Sequence, residues 1–124
     1  MKNCEIRKIV LAYKSTSGTL ALPASVAWKR RLNMKQLMDV DRTVEEAIRE
    51  LQQEFMDDEH SVDIGDGRRE IKDMYTAEFG KRFNELMEQD TPVNIHTVPA
   101  ETVFSDDLKL TDAELDTLEF MIEG

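Results

Sequence analysis

Residues 23–57, PASVAWKRRLNMKQLMDVDRTVEEAIRELQQEFMD, decide the fold because no glycine or internal proline interrupts them. Pro23 suits the first turn of a helix, where its fixed φ is helical and its missing N–H is not needed. Apolar side chains follow at helical spacing and form one stripe, made of Val26, Leu37, Val40, Val44, Ile48 and Leu51. The stretch predicts one long helix whose stripe lies in the core or at a contact between subunits.

The length of this helix leaves two alternatives. About 35 residues at ~1.5 Å each span ~50 Å, whereas a compact domain of this size is ~35 Å across. An unbroken helix would extend beyond its own domain, and its apolar stripe would need a second copy. A break within 39–46, where Thr43 and Glu46 have capping-box spacing, would remove that need. We expect the unbroken helix, and with it a homo-oligomer.

Shorter elements precede and follow the long helix. Residues 4–14 have the spacing of a short amphipathic helix, and STSG at 15–18 is typical of a turn. Gly65-Asp66-Gly67 predicts the turn of a small β-hairpin within 60–71. Residues 72–89 return to helical spacing.

The last third of the chain predicts a strand and a helix. Residues 91–98 alternate apolar and polar side chains, which is typical of a half-buried strand. Thr111 with Glu114 predicts a capping box, and the apolar residues that follow predict a C-terminal helix that includes Ile122. We expect a single α+β domain over 1–124, mostly α, with one long central helix, shorter packed helices and a small hairpin or strand element.

Composition narrows the class of protein. Apolar residues make up 40% of the 124 and aromatic residues only 6%, which favours aliphatic helix packing. The single Cys4 cannot form an internal disulfide and indicates a reducing compartment. Charged residues interrupt the start of the chain, and no segment approaches the ~20 apolar residues of a membrane span. We expect no membrane association and a cytoplasmic location.

Charge is divided unevenly along the chain. Residues 1–38 hold eight Lys or Arg against one acidic residue, a net +7, whereas residues 39–124 hold eight against twenty-five, a net −17. The chain as a whole carries −10. Opposite charges on one chain give complementary surfaces, which favour self-association and fix its register.

The basic residues of the long helix form a candidate basic patch: Lys29, Arg30, Arg31 and Lys35. Such a cluster beside Trp28 could contact phosphates. However, consecutive helical residues point about 100° apart, and a net charge of −10 repels a polyanion at long range. The pattern favours solvation and pairing with the acidic remainder, so nucleic acid is an unlikely partner.

Acidic clusters leave an alternative function open. Residues 57–59 and 106–107 could imitate the phosphates of DNA and block a host nucleic-acid-binding or defence enzyme. The cluster of 57–60 with Asp63 does not match the calcium-loop pattern, and two His with one Cys are few for zinc. Neither Cys4 nor the histidines have the setting of a nucleophile. We predict no enzyme activity, no metal site and no cofactor.

Four stretches together resemble a known family. Leu22-Pro23 opens the long helix that carries Asn33 and Leu37. EFGKRFNEL at 78–86, VNIH at 93–96 and LTDAELDTLEFMIE at 110–123 follow. This succession resembles an uncharacterised family of small proteins from tailed phages and prophages of Gram-positive bacteria, over about residues 22–123, although Trp28 stands where the family more often has tyrosine.

The resemblance implies a source and leaves the activity open, because the family carries no agreed function. We therefore expect a non-enzymatic phage or prophage protein that works by self-association and protein–protein contact. Its partners would be phage structural proteins or host proteins. It would lie in the cytoplasm of the bacterial host or in the virion.

Overall fold

A computed structural model describes residues 1–16, 21–104, 108 and 110–123. The elements in chain order are α1 (Asn3–Thr16), α2 (Ala24–Glu54), β1 (Ser61–Gly65), β2 (Arg68–Ile71), α3 (Asp73–Glu88), α4 (Ala100–Val103), α5 (Asp112–Asp116) and a 3₁₀ helix (Glu119–Met121). The predicted fold class is confirmed, since a long helix, shorter helices and one antiparallel hairpin make an α+β fold that is mostly α.

α2 runs through residues 39–46 without a break. Its 31 residues span about 46 Å. Thr43 donates its hydroxyl to the carbonyl oxygen of Asp39, 3.1 Å away and one turn back, as in a helix interior. Asp41 is buried, with its carboxylate 3.2 Å from the guanidinium of Arg7 on α1. The side chains that could have capped a second helix are therefore engaged elsewhere.

The chain itself covers α2 along its length. One buried cluster joins α1 to the middle of α2: Ile6, Val10, Met34 and Leu37. Another joins the start of α2 to the last third of the chain: Val26, Val98, Val103, Leu118 and Met121. Beyond the end of α2, Phe55 is 2% exposed and its ring meets that of Phe79 on α3 edge-on, 5.4 Å between centroids.

The predicted hairpin is confirmed. β1 and β2 pair antiparallel, with Ser61 opposite Ile71. Gly65, Asp66 and Gly67 all adopt positive φ, at 95°, 54° and 72°. Only glycine and, less readily, aspartate or asparagine tolerate this conformation, so the GDG sequence matches the turn that it forms.

The predicted strand at 91–98 is wrong. The segment is extended but pairs with neither hairpin strand, and its one bridge joins Val98 in parallel to Ile122. Its alternating pattern reflects one side that packs on α2 and one side that faces water.

The first helix and the C-terminal helix also differ in detail from their predictions. α1 includes Ser15 and Thr16, which were expected in the turn, and residues 17–18 lie outside the described residues. The predicted capping box is confirmed, with Thr111 and Glu114 bonded reciprocally at 3.1 Å. The helix that it starts ends at Asp116, and a separate 3₁₀ turn brings Met121 into the core.

Candidate interaction surface

The exposed side of α2 carries an aromatic and basic row, here called the α2 outer face. Trp28 is 60% exposed, and Lys35, Arg42 and Arg49 follow it at seven-residue intervals, close to two helical turns each. Arg31 lies one turn from both Trp28 and Lys35, and all four basic residues are exposed. The row therefore faces water on the side opposite the buried stripe.

The two ends of the α2 outer face differ electrostatically. Arg42 forms an ion pair of 2.9 Å with Asp39, which neutralises the middle of the row. Arg31 and Lys35 form no ion pair with any described residue, so the end that carries Trp28 keeps its positive charge.

The candidate basic patch is divided among three surroundings. Lys29 donates its ammonium to the carbonyl oxygen of Thr97, 3.0 Å away. Arg30 is buried, with 7% of its surface exposed. Only Arg31 and Lys35 share one exposed side of the helix. The four residues thus form no continuous basic surface, because consecutive helical positions point in different directions.

Arg30 lies among α1 side chains. Its guanidinium carbon is 4.7 Å from the ring centroid of Tyr13, a cation–π contact. Its Nη2 donates to the hydroxyl oxygen of Thr16 at 3.3 Å, and its Nε is buried without a hydrogen-bond partner. Burial lowers the pKa of Arg30, since removal from water disfavours the charged form.

The candidate interface or core stripe lies mostly inside the chain. Four of its members are buried: Val26, Leu37, Val44 and Leu51. Val40 and Ile48 are half-buried. Val40 and Val44 line an open groove of about 380 Å³ between α2 and the end of α3, closed on the α3 side by Leu86. The stripe therefore packs chiefly against its own chain.

Two amide side chains on α2 hold the extended segment, and sequence reasoning missed them. Asn33, fully buried, donates to the carbonyl oxygen of His96 at 2.9 Å and accepts from its N–H at 2.7 Å. Gln36 repeats this with Asn94, at 2.7 and 3.0 Å. These bonds take the place of a neighbouring strand. The one signal in the sequence was the position of Asn33, a polar residue on the apolar side of α2.

Just after α2 ends, Asp57 contacts His60, whose ring packs between aromatic side chains. Asp57 accepts from the backbone N–H of His60 at 2.9 Å and lies 2.6 Å from its ring Nδ1. Hydrogen bonding to His60 lowers the pKa of Asp57. The His60 ring packs against Phe55 and Tyr75, with centroids 5.3 and 4.5 Å away. His60 thus joins α2 to α3.

Asp57 and His60 also belong to a group of side chains with metal-ligand chemistry. Ligand atoms of Asp57, Glu59 and His60 lie within 4.8 Å of one another at the surface. Asp58 pairs with Arg69 of β2 at 2.9 Å. Asp57 is already hydrogen-bonded to His60, so the carboxylates of both Asp57 and Asp58 have partners within the chain. The absence of a metal site stays a prediction, as does the absence of any cofactor.

No nucleophile is hydrogen-bonded to a histidine ring in the described part of the chain. None of the hydrogen bonds there joins a Ser, Thr or Cys side chain to a histidine ring. Cys4 approaches the carboxylate of Glu88 at 3.9 Å. The absence of enzyme activity stays a prediction. Among the described helices, none combines the length and apolar content that a membrane span needs.

Comparison with protein-family models, curated proteins and solved structures finds no match to this chain. The phage and prophage resemblance therefore stays a prediction that rests on the residues quoted for it.

Proposed function

We propose that this is a non-enzymatic protein that self-associates, with the Trp28 end of the α2 outer face docked on an acidic surface of a second copy. The observation that carries the proposal is Trp28, which is 60% exposed beside two basic side chains without ion-pair partners among the described residues. Tryptophan and arginine are the side chains most enriched where binding energy concentrates.

Trp28 offers a large apolar area for contact. A tryptophan buries roughly 150–250 Å² in a contact, more than most other side chains. Since the buried stripe already packs within the chain, the core places no demand on Trp28. Its exposed ring is therefore available to bury apolar area against another molecule.

α3 offers a surface that complements the Trp28 end of the α2 outer face. Met74 is 76% exposed, and Glu78 and Glu85 follow at spacings that place them on the same exposed side. Neither glutamate forms an ion pair with a described residue, although Lys81 lies between them. A methionine followed by carboxylates along one helix face complements a tryptophan followed by cations, through sulfur–aromatic contact and charge attraction.

Different faces of the two copies meet in this arrangement. Such a heterologous contact closes into a ring or continues as a filament, unless the two copies exchange both faces and form a dimer. All three outcomes suit an assembly role. The phage or prophage origin, a virion or host-cytoplasm location and a structural or host protein partner stay predictions.

The oligomeric state tests the proposal directly. Sedimentation equilibrium and light scattering of the intact chain at micromolar concentration should show species larger than a monomer. Trp28→Ala should weaken association at least tenfold, the loss of about 1.4 kcal/mol expected for a residue that concentrates binding energy. Phe104→Ala is the matched control, because Phe104 is an equally exposed aromatic at 59% that lies outside both faces.

The charge pairing has its own test. Arg31→Glu should weaken association more than Arg49→Glu, which changes a similar exposed arginine at the far end of α2. A second change, Glu78→Arg, should restore association to the Arg31→Glu variant if α3 is the opposing surface. A strictly monomeric protein, or one whose association ignores both Trp28→Ala and salt, would contradict the proposal.

The alternative of an acidic DNA mimic finds less support. Asp57 and Asp58 are used in contacts with His60 and Arg69. The other proposed acidic cluster, 106–107, falls in a part of the chain that the structure does not describe. The DNA-mimic function stays a prediction.

A further inference from the structure

Arg30 is the most unusual charged residue in the described chain, because it is buried without a carboxylate. It is 7% exposed and forms no ion pair with a described residue. Its contacts are the Tyr13 ring and the Thr16 hydroxyl, both uncharged, and its Nε lacks a hydrogen-bond partner. A buried guanidinium without a counter-charge is costly, and burial already lowers its pKa.

Arg30 lines an open cavity. Its volume is about 260 Å³, and Arg31, Tyr13, Leu22 and Ala27 line it as well. Two arginines at neighbouring positions thus border one space, although their backbone positions differ by about 100° around α2. The cavity also lies beside the first turns of α2, where the helix dipole is positive.

We propose that the Arg30–Arg31 cavity binds a phosphate group. Two guanidinium groups with free N–H donors match a dianionic, tetrahedral oxyanion, because each can donate parallel hydrogen bonds to two of its oxygens. A single carboxylate would balance only one of the two charges. The ligand is inorganic phosphate or the phosphate of a small phosphomonoester, since Arg30 and Arg31 are the charged residues that line the cavity.

NMR titration of the intact chain gives the most direct test. The Nε–H group of Arg30 is buried, so its exchange with water is slowed and its ¹H–¹⁵N signal is a specific reporter. Inorganic phosphate should shift this signal and the Tyr13 ring signals along a saturable curve. Phenyl phosphate should do the same if a phosphomonoester is the ligand. Acetate at equal ionic strength should produce a much smaller, unsaturated change.

Variants separate the site from general attraction to a basic region. Arg31→Gln should weaken phosphate binding about tenfold, while Arg49→Gln should leave it unchanged. Arg30→Lys keeps the charge and removes the fork of donors, so it should also weaken binding. Because Arg30 variants could unfold, the exposed Arg31 variant is the decisive one.

Three results would overturn the inference: no saturation by phosphate, equal shifts with acetate, or equal affinity in Arg31→Gln and wild type. The self-association proposed above is measured in phosphate-free buffer, and phosphate binding is measured again on Trp28→Ala. The failure of one proposal can therefore be told from the failure of the other.

Discussion

Asn33 and Gln36 form an amide clamp on α2 that holds the extended segment. The two side chains are chemically alike and differ chiefly in burial, so we predict different costs for their removal. Asn33 and Gln36 each make one donated and one accepted hydrogen bond to the backbone of the extended segment. Asn33 is fully buried, whereas the bonds of Gln36 lie at the exposed edge. Removal of either side chain breaks both of its bonds to the extended segment, and removal of Asn33 also ends a weak 3.8 Å contact with the sulfur of Met121.

The expected cost follows from what water can replace. A hydrogen bond contributes about 1 kcal/mol net, but a buried donor or acceptor left without a partner costs about 1–3 kcal/mol. Asn33→Ala leaves the N–H and carbonyl of His96 without partners near the core, so we expect a loss of about 3 kcal/mol. Gln36→Ala leaves those of Asn94 open to water, and we expect about 1 kcal/mol or less.

Urea unfolding followed by far-UV circular dichroism measures both values, since the free energy of unfolding extrapolates linearly with denaturant. Amide hydrogen exchange adds the location: the His96 amide should lose protection in Asn33→Ala, and the Asn94 amide in Gln36→Ala. A loss of about 3 kcal/mol is a large part of the 5–15 kcal/mol of a typical domain. Equal losses in the two variants would refute the argument from burial.

Three further predictions concern single sites. Asp41→Asn removes the negative charge from the ion pair between α1 and α2 and should cost about 1–2 kcal/mol in urea unfolding, since one partner is partly exposed; no loss would mean that the pair is not stabilising. Gly80→Ala should stabilise α3 by about 0.5–1 kcal/mol because a Cβ there meets nothing within 4 Å. Gly67→Ala should cost about 1 kcal/mol because φ is 72° there, so the thermal unfolding temperatures of the two variants should shift in opposite directions. His60 holds the pKa of Asp57 below its ordinary 3.8, so the contact between them stabilises the fold above that pH, and the stabilisation is lost as pH falls through the folded pKa. The unfolding free energy of Asp57→Asn should therefore depend less on pH below about 4 than that of the wild type. An unchanged acid dependence would count against this contact.

The sequence predicted the elements whose signals are local. The period of the apolar stripe and the missing glycines gave α2 as Pro23 to about Asp57, and the helix runs Ala24–Glu54. GDG gave the hairpin turn, and Thr111 with Glu114 gave the capping box. Each of these features depends on residues within a few positions of one another, so a window of sequence contains the cause.

The predictions that failed depend on distant residues. The extended segment at 91–98 has the pattern of a strand, but its hydrogen-bond partners are side chains of α2 about 60 residues earlier. No local pattern reveals a helix that replaces a neighbouring strand. The division of the basic run from Lys29 did follow from the ~100° spacing of helical positions, but the contact of Arg30 with Tyr13 depends on how α1 packs on α2.

The clamp also affects the order in which the chain can acquire its structure. The Asn33 amide finds its partner in His96 only 63 residues later, whereas the contacts of α1 with α2 join residues closer in the chain and the hairpin turn needs only near neighbours. Closure of so long a loop carries a larger entropic cost and slows the steps that depend on it. During synthesis, Val26 and Asn33 therefore lack the partners that cover them until residues 96–121 have been made.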